Sequence, residues 1–390
     1  MDRTLLENAR KNKHDSPKVV GGYSAIGMRR NWHAKLRRNF YEGFKPDWLF
    51  VRLMDLLMSP LWRLLPFLTI VLTACTSCGT REVVLVPLMT LNSNTEVTDV
   101  EFLRDGKSFV VVDLNQVTLS KTEPNKPLMK SVVLSDGTDN GFAFACVDSN
   151  HRRILVAKQD KGLACFDDLI LDPKPVNCIW NISNFYHPID KSDAITMIDD
   201  TLLTRVSSGK AEPIWQQKTR FTSIEGTHAI SSKWIALAEH TEQQKPIVKL
   251  YSPENGAAHE FVIEHKKTIR GIAFSLDESK LATVDEIGYL KVHDLNSDSM
   301  EWETKVDADG AFAIAFHPNQ DYLAVGCLKG IKILSLKEKK LVASWNAHTR
   351  FIPTVAFSPD GAYLLTGSID KTTMLWQTSD FIGKIAYKSE

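Results

Sequence analysis

Ile272-Ala273-Phe274-Ser275-Leu276-Asp277, Ile314-Ala315-Phe316-His317-Pro318-Asn319 and Val355-Ala356-Phe357-Ser358-Pro359-Asp360 are one pattern written three times, with the phenylalanines 42 and 41 residues apart. In each copy an apolar run meets a polar, turn-forming cluster, which reads as a strand running into a tight turn. A second apolar run follows: Lys280-Leu281-Ala282-Thr283, Tyr322-Leu323-Ala324-Val325 and Tyr363-Leu364-Leu365-Thr366. A third ends at Val292-His293-Asp294, Ile333-Leu334-Ser335 and Leu375-Trp376-Gln377. A period of roughly 40–45 residues holding strand, turn, strand, turn, strand is one four-stranded blade of a β-propeller. A blade cannot bury both of its faces alone, so several must stack in a ring.

Upstream the pattern thins but persists. Val100-Glu101-Phe102-Leu103-Arg104-Asp105-Gly106 with Phe109-Val110-Val111-Val112 repeats strand, turn and strand, and Phe144 to Val156 does so around Asn150. Vaguer copies lie around Ala194 to Ile198 and His228 to Ala238. Counting them gives an all-β fold of seven blades of four antiparallel strands over residues 91–380, with six or eight as neighbouring closures. The ring must be completed by a strand from the far end of the chain, because an open edge invites aggregation. Val83 to Leu91 and Ile382 to Tyr387 are the two candidates.

The last copy resembles the WD-repeat family. There the resemblance implies a hydrogen-bond relay of His348 before the first strand, Thr366 on the second, Asp370 in the next tight turn and Trp376 on the third. An indole N–H needs a buried acceptor, a hydroxyl can accept and donate at once, and an imidazole passes the chain on to a carboxylate. The other copies depart from the set. In the first of the three, His265 and Thr283 match, but Ile287 stands for the Asp and His293 for the Trp. In the middle copy Asp307 and Val325 replace the His and the Thr, so packing must carry those blades.

Net charge is zero overall, but residues 1–74 hold 13 Lys/Arg against 6 Asp/Glu, leaving 34 against 41 downstream. An acidic body is a poor match to a phosphate backbone, which argues against nucleic acid as a partner. The basic end precedes an apolar run from Leu64 to Leu72, too short for a bilayer span of about 20 residues but of the right size for a signal-peptide core. Leu72-Thr73-Ala74-Cys75 at its end resembles the lipobox of bacterial lipoproteins. The resemblance implies cleavage before Cys75 and acylation of its thiol, and at about 0.8 kcal/mol per buried methylene two or three chains anchor stably where one does not. A start at Met58, or at Met54, gives a leader of ordinary length. Residues 1–57 then read as a disordered or mis-assigned upstream extension, 58–74 as the signal peptide, 75–90 as tether and possible closing strand, and 91–390 as the propeller. Thr76 follows the cysteine in place of Asp, and for a Gram-negative lipoprotein the resemblance then implies sorting to the outer membrane. The alternatives are a signal anchor or a peripheral amphipathic segment over 53–74, and a cytosolic protein with a hydrophobic N-terminal helix.

Of the cysteines other than Cys75, Cys146 and Cys165 fall on strands read as neighbours, within pairing reach if exported, whereas small buried hydrophobes are the commoner use. Cys75 and Cys78 lack a second ligand pair for a metal. The acidic pairs Asp167-Asp168, Asp199-Asp200 and Asp307/Asp309 read as solvated turns. The expectation is a non-catalytic scaffold of the cell envelope without cofactor or metal, facing the periplasm. It binds other proteins through loops such as 239–246 and 121–130, and the membrane through Cys75. The rival readings are a hydrolase or lyase working at the central channel and a cytosolic scaffold.

Overall fold

Small and branched apolar residues fill the second strand of blade after blade, and these strands are buried along nearly their whole length: Ser108–Asp113, Ile235–His240, Lys280–Asp285 and Tyr322–Cys327. Each is covered on both faces by neighbouring sheets, so alternation is lost. The fourth strands, at the outer edge, keep it, as Ala258–Glu264 shows with its alternately exposed side chains.

The computed structural model describes residues 85–382, apart from 125–127, 134–142, 149–152, 159–161, 168–172, 176–181, 189–192, 199–200, 208–211 and 222–226. The strands form seven four-stranded antiparallel sheets. Blade 1 spans 97–133, blade 2 143–175, blade 3 182–218, blade 4 228–264, blade 5 269–305 and blade 6 311–346. Blade 7 joins three strands from 354–377 to the strand Met89–Asn92 from the other end of the described chain. Met89 pairs with Leu375 and Asn92 with Thr372, so the first of the two candidate segments closes the ring. The other candidate lies beyond Ile382, outside the described residues.

Between blades the core is continuous. Met89, Val97, Val100, Phe109, Leu365 and Leu375 pack together where blade 7 meets blade 1. Ile195, Met197 and Leu203 of blade 3 meet Ile235, Leu237 and Tyr251 of blade 4. At roughly 1.5–3 kcal/mol for each fully buried large side chain, these seams stabilise the ring more than any single polar contact. The closing seam is tight: a Cβ on Gly367 would lie 2.6 Å from Val97 Cγ1, so only glycine lets the two sheets approach.

The ring has two unlike mouths. One carries the turns between second and third strands and the loops that lead into each first strand, and the relay sits there. The opposite mouth carries the turns between first and second and between third and fourth strands. Loops 239–246 and 121–130 therefore lie at opposite mouths and cannot form one surface, and their outer residues belong to strands Ile235–His240, Pro246–Tyr251, Gln116–Lys121 and Leu128–Val133.

Candidate interaction face

In blade 7 the Trp376 Nε1–H donates to Thr366 Oγ1 at 3.1 Å, and Thr366 Oγ1 lies 2.9 Å from His348 Nε2. His348 Nδ1 stands 3.2 Å from Asp370 Oδ2. With a neutral imidazole every donor finds an acceptor along this chain. Burial holds the His348 pKa below its ordinary value, with Asp370 pulling the other way. Burial alone would raise the Asp370 carboxyl, but hydrogen bonds from Thr372 and the Thr349 N–H, with His348 beside them, keep it below the usual range.

The consequence is a pinned loop. Asp370 accepts the Thr349 N–H at 2.9 Å, and Ser368 Oγ donates to the Phe351 carbonyl at 2.9 Å, so residues 348–351 are fixed over the turn that follows the second strand. On this loop the half-buried Phe351 stacks on Phe312 of blade 6, with ring centroids 5.0 Å apart and an angle of 29°.

Phe312 reaches that position through a bulge. The pairing of the first strand of blade 6 slips between Ala311 and Ala313, and blades 5 and 1 slip at the same place, between Ile269 and Gly271 and between Val97 and Asp99. A bulged residue leaves the ladder and its side chain is re-aimed. Thr98, Arg270 and Phe312 are the residues so released, all at the relay mouth. Arg270 Nη2 holds Glu286 at 3.2 Å, while its Nε is buried without a hydrogen-bond partner. Arg350, exposed, pairs with Glu96 of blade 1 at 3.1 Å. The mouth thus presents a stacked pair of phenylalanines, with Arg270 on the first strand of blade 5 and the exposed Arg350 next to Phe351 in the chain, and aromatic residues and arginine are enriched at protein interfaces. Nothing in the sequence marked these residues: Phe312, Ile314 and Phe316 alternate without a break, which places all three on one face and hides the bulge.

Elsewhere the structure redistributes the roles read from sequence. His265 Nε2 lies 2.8 Å from Thr283 Oγ1, and its Nδ1 meets not residue 287 but Asp285 Oδ2, at 3.3 Å. Blade 5 therefore does have a carboxylate, two residues earlier than the motif places it. His293, where the Trp would stand, is buried with Nδ1 unpartnered and packs edge-on against Phe261. In blade 4 Tyr251 occupies the corresponding place and hydrogen-bonds Glu239, and its burial pushes the phenol well above its ordinary pKa. Asp307 of blade 6 pairs with Lys332 at 3.5 Å and accepts the Asp309 N–H at 2.8 Å, as a turn aspartate does.

Cys146 and Cys165 are not on neighbouring strands. Both register on Leu155 of the strand between them, so two strand spacings, about 9.5 Å, separate them, beyond the roughly 7 Å Cα reach of a disulfide. Cys327 is buried with a free thiol, pushed up by burial. Cys75, Cys78, Cys178, Asp168 and the pair Asp199-Asp200 lie outside the described residues. Among the described residues no group of His, Cys, Asp and Glu is placed to hold a metal, and no helix is long and apolar enough to cross a membrane.

Residues 339–377 match the family model of the WD domain, G-beta repeat. The chain is 30% identical over 123 residues to a small ribosomal subunit protein, RACK1, of Candida albicans, a match covering 30% of this chain and 38% of that protein. It is 26% identical over 124 residues to actin-interacting protein 1 of Drosophila melanogaster, covering 31% and 20%. It is 38% identical over 71 residues to the COMPASS component SWD1 of Saccharomyces cerevisiae, covering 17% of each chain. The chain spans well under half the length of the curated relatives it matches. With seven four-stranded sheets in a closed ring, the fold is a WD-repeat β-propeller.

Proposed function

We propose that this protein is a lipid-anchored, exported scaffold that holds partner proteins on the relay mouth of its ring and performs no catalysis itself. The observation that carries the reading is the Phe312–Phe351 stack at the relay mouth, with the exposed Arg350 next to Phe351 in the chain. It is a partly exposed aromatic pair held by backbone that the relay and Ser368 fix in advance. Rigid display of this kind lowers the ordering cost of association. The names of the relatives agree in kind: one is a small ribosomal subunit protein, one an actin-interacting protein and one a COMPASS component. The address rests on the Leu72-Thr73-Ala74-Cys75 sequence, with acyl chains on Cys75 as the membrane contact and the outer membrane, facing the periplasm, as the destination.

One purification tests both parts. The protein is expressed in a bacterial host fed an alkyne fatty acid, extracted from membranes, and compared with Cys75→Ala and with Phe312→Ala/Phe351→Ala. Label that disappears with Cys75→Ala supports the anchor, and proteins that co-purify with wild type but not with the double variant support the face. An unlabelled, full-length chain in the soluble fraction defeats the address. Co-purification that survives the double variant defeats the face.

A further inference from the structure

The two mouths of the ring differ in a second respect. Five large apolar side chains are substantially exposed among the described residues: Val86, Ile214, Val262, Leu276 and Met300. Leu276 lies in the turn between the first and second strands of blade 5, and Met300 near the start of that blade's fourth strand. Ile214 precedes the fourth strand of blade 3, and Val86 precedes the closing strand of blade 7. All four therefore sit at or near the mouth opposite the relay, and only Val262 does not. Leu276 and Val86, at 73% and 71% exposure, are the most open of the five. The relay mouth has its apolar residues stacked and half-covered instead.

The direction of the chain adds an independent constraint. Met89 pairs with Leu375 and Asn92 with Thr372, and Thr372 directly follows the relay turn, so the closing strand runs from the opposite mouth toward the relay mouth. The chain before it, at Leu85, packs, as Ile382 does, against the cluster that includes Trp345, Trp376 and Phe381. A tether from Cys75 thus joins the propeller at the mouth opposite the relay. Only about ten residues separate Cys75 from Leu85, and at no more than about 3.5 Å each they reach no further than about 35 Å.

We infer that this mouth, with Leu276 and Val86 at its surface, rests against the lipid surface, which leaves the Phe312–Phe351 face pointing away from the membrane and open to partners. The inference rests on the Cys75 anchor proposed above and adds an orientation to it. Charge does not drive the contact, because the turns at this mouth mix acids such as Asp277, Asp298 and Asp321 with bases such as Arg104, Lys107 and Lys337. The occupant that fits is the interfacial region of a bilayer of low net charge, entered by isolated apolar side chains held close by a short tether.

The test uses the full lipidated protein in phosphatidylcholine vesicles whose acyl chains carry bromine as a quencher. A fluorescent amino acid is placed singly at Leu276, Val86 or Lys267, the last exposed at the relay mouth. Quenching at Leu276 and Val86 several-fold above that at Lys267 is the expected result. Protein that floats with the vesicles but is quenched equally at all three sites, most at Lys267, or at none overturns the orientation while leaving the anchor standing. Protein that does not float overturns the anchor, and the orientation with it.

Discussion

Thr366 Oγ1 stands between the Trp376 indole, 3.1 Å away, and the His348 imidazole, 2.9 Å away, so one buried hydroxyl completes the polar core of blade 7. Thr366→Val keeps the shape and removes the oxygen, leaving an indole N–H and an imidazole nitrogen buried without partners. The expected loss is roughly 1–3 kcal/mol in urea unfolding. Thr366→Ser, which forfeits only a methyl, should cost about 1 kcal/mol. A Thr366→Val protein as stable as wild type would mean that the hydroxyl contributes nothing.

Blade 5 makes the same kind of link with a displaced carboxylate. Asp285→Ala should destabilise by roughly 1–3 kcal/mol, since it strands a fully buried His265 nitrogen. Adding Ile287→Asp, which restores the family's own position, should not rescue it. Recovery of the urea midpoint in the double variant would show that the turn is free to rearrange.

His293 gives the fold a pH dependence of defined sign. Burial, with Lys291 and His265 nearby, lowers its pKa from 6.5 to about 4. The unfolded chain therefore binds more protons than the folded one between those values, and stability present above pH 6.5 is lost as pH falls toward 4. The shift corresponds to a loss on the order of 3 kcal/mol. His293→Phe should remove that part of the slope and, by deleting an unpartnered nitrogen, leave stability at pH 7 unchanged or raised by up to about 1 kcal/mol. Identical pH profiles for the two proteins would rule out His293 as the titrating group.

Closure by Met89–Asn92 predicts what truncation does. A chain beginning at Ser93 leaves the strand Thr372–Gln377 as an open edge and uncovers the seam that Met89 fills. It should self-associate, read as a rise in light scattering, because an unpaired edge templates further pairing. A truncated chain that stays monomeric with an unchanged unfolding midpoint would show that the ring holds without its fastening.

The repeat was legible because the Phe274, Phe316 and Phe357 turns recur at one period, and so was the relay of blade 7, because all four of its residue types stand at family spacing. The carboxylate of blade 5 was not, since Asp285 sits at a strand end where sequence gives no reason to seek a partner for His265. The aromatic platform was hidden for a different reason. A bulge leaves no mark on alternating apolar residues, and Phe312 and Phe351 are 39 positions apart with no shared motif. The order of the cysteine strands failed for a third reason: Cys146 and Cys165 share a blade, but adjacency depends on counting the intervening strand Arg153–Lys158.

Partner binding at the relay mouth is read out by photo-crosslinking in cells, with a reactive side chain placed either at Asn94, exposed beside Glu96, or at Asn296, exposed at the opposite mouth. Discrete protein adducts at Asn94 that vanish with Phe312→Ala/Phe351→Ala, and none at Asn296, are the predicted result. Adducts at Asn296 alone, or at Asn94 regardless of the two phenylalanines, would contradict it.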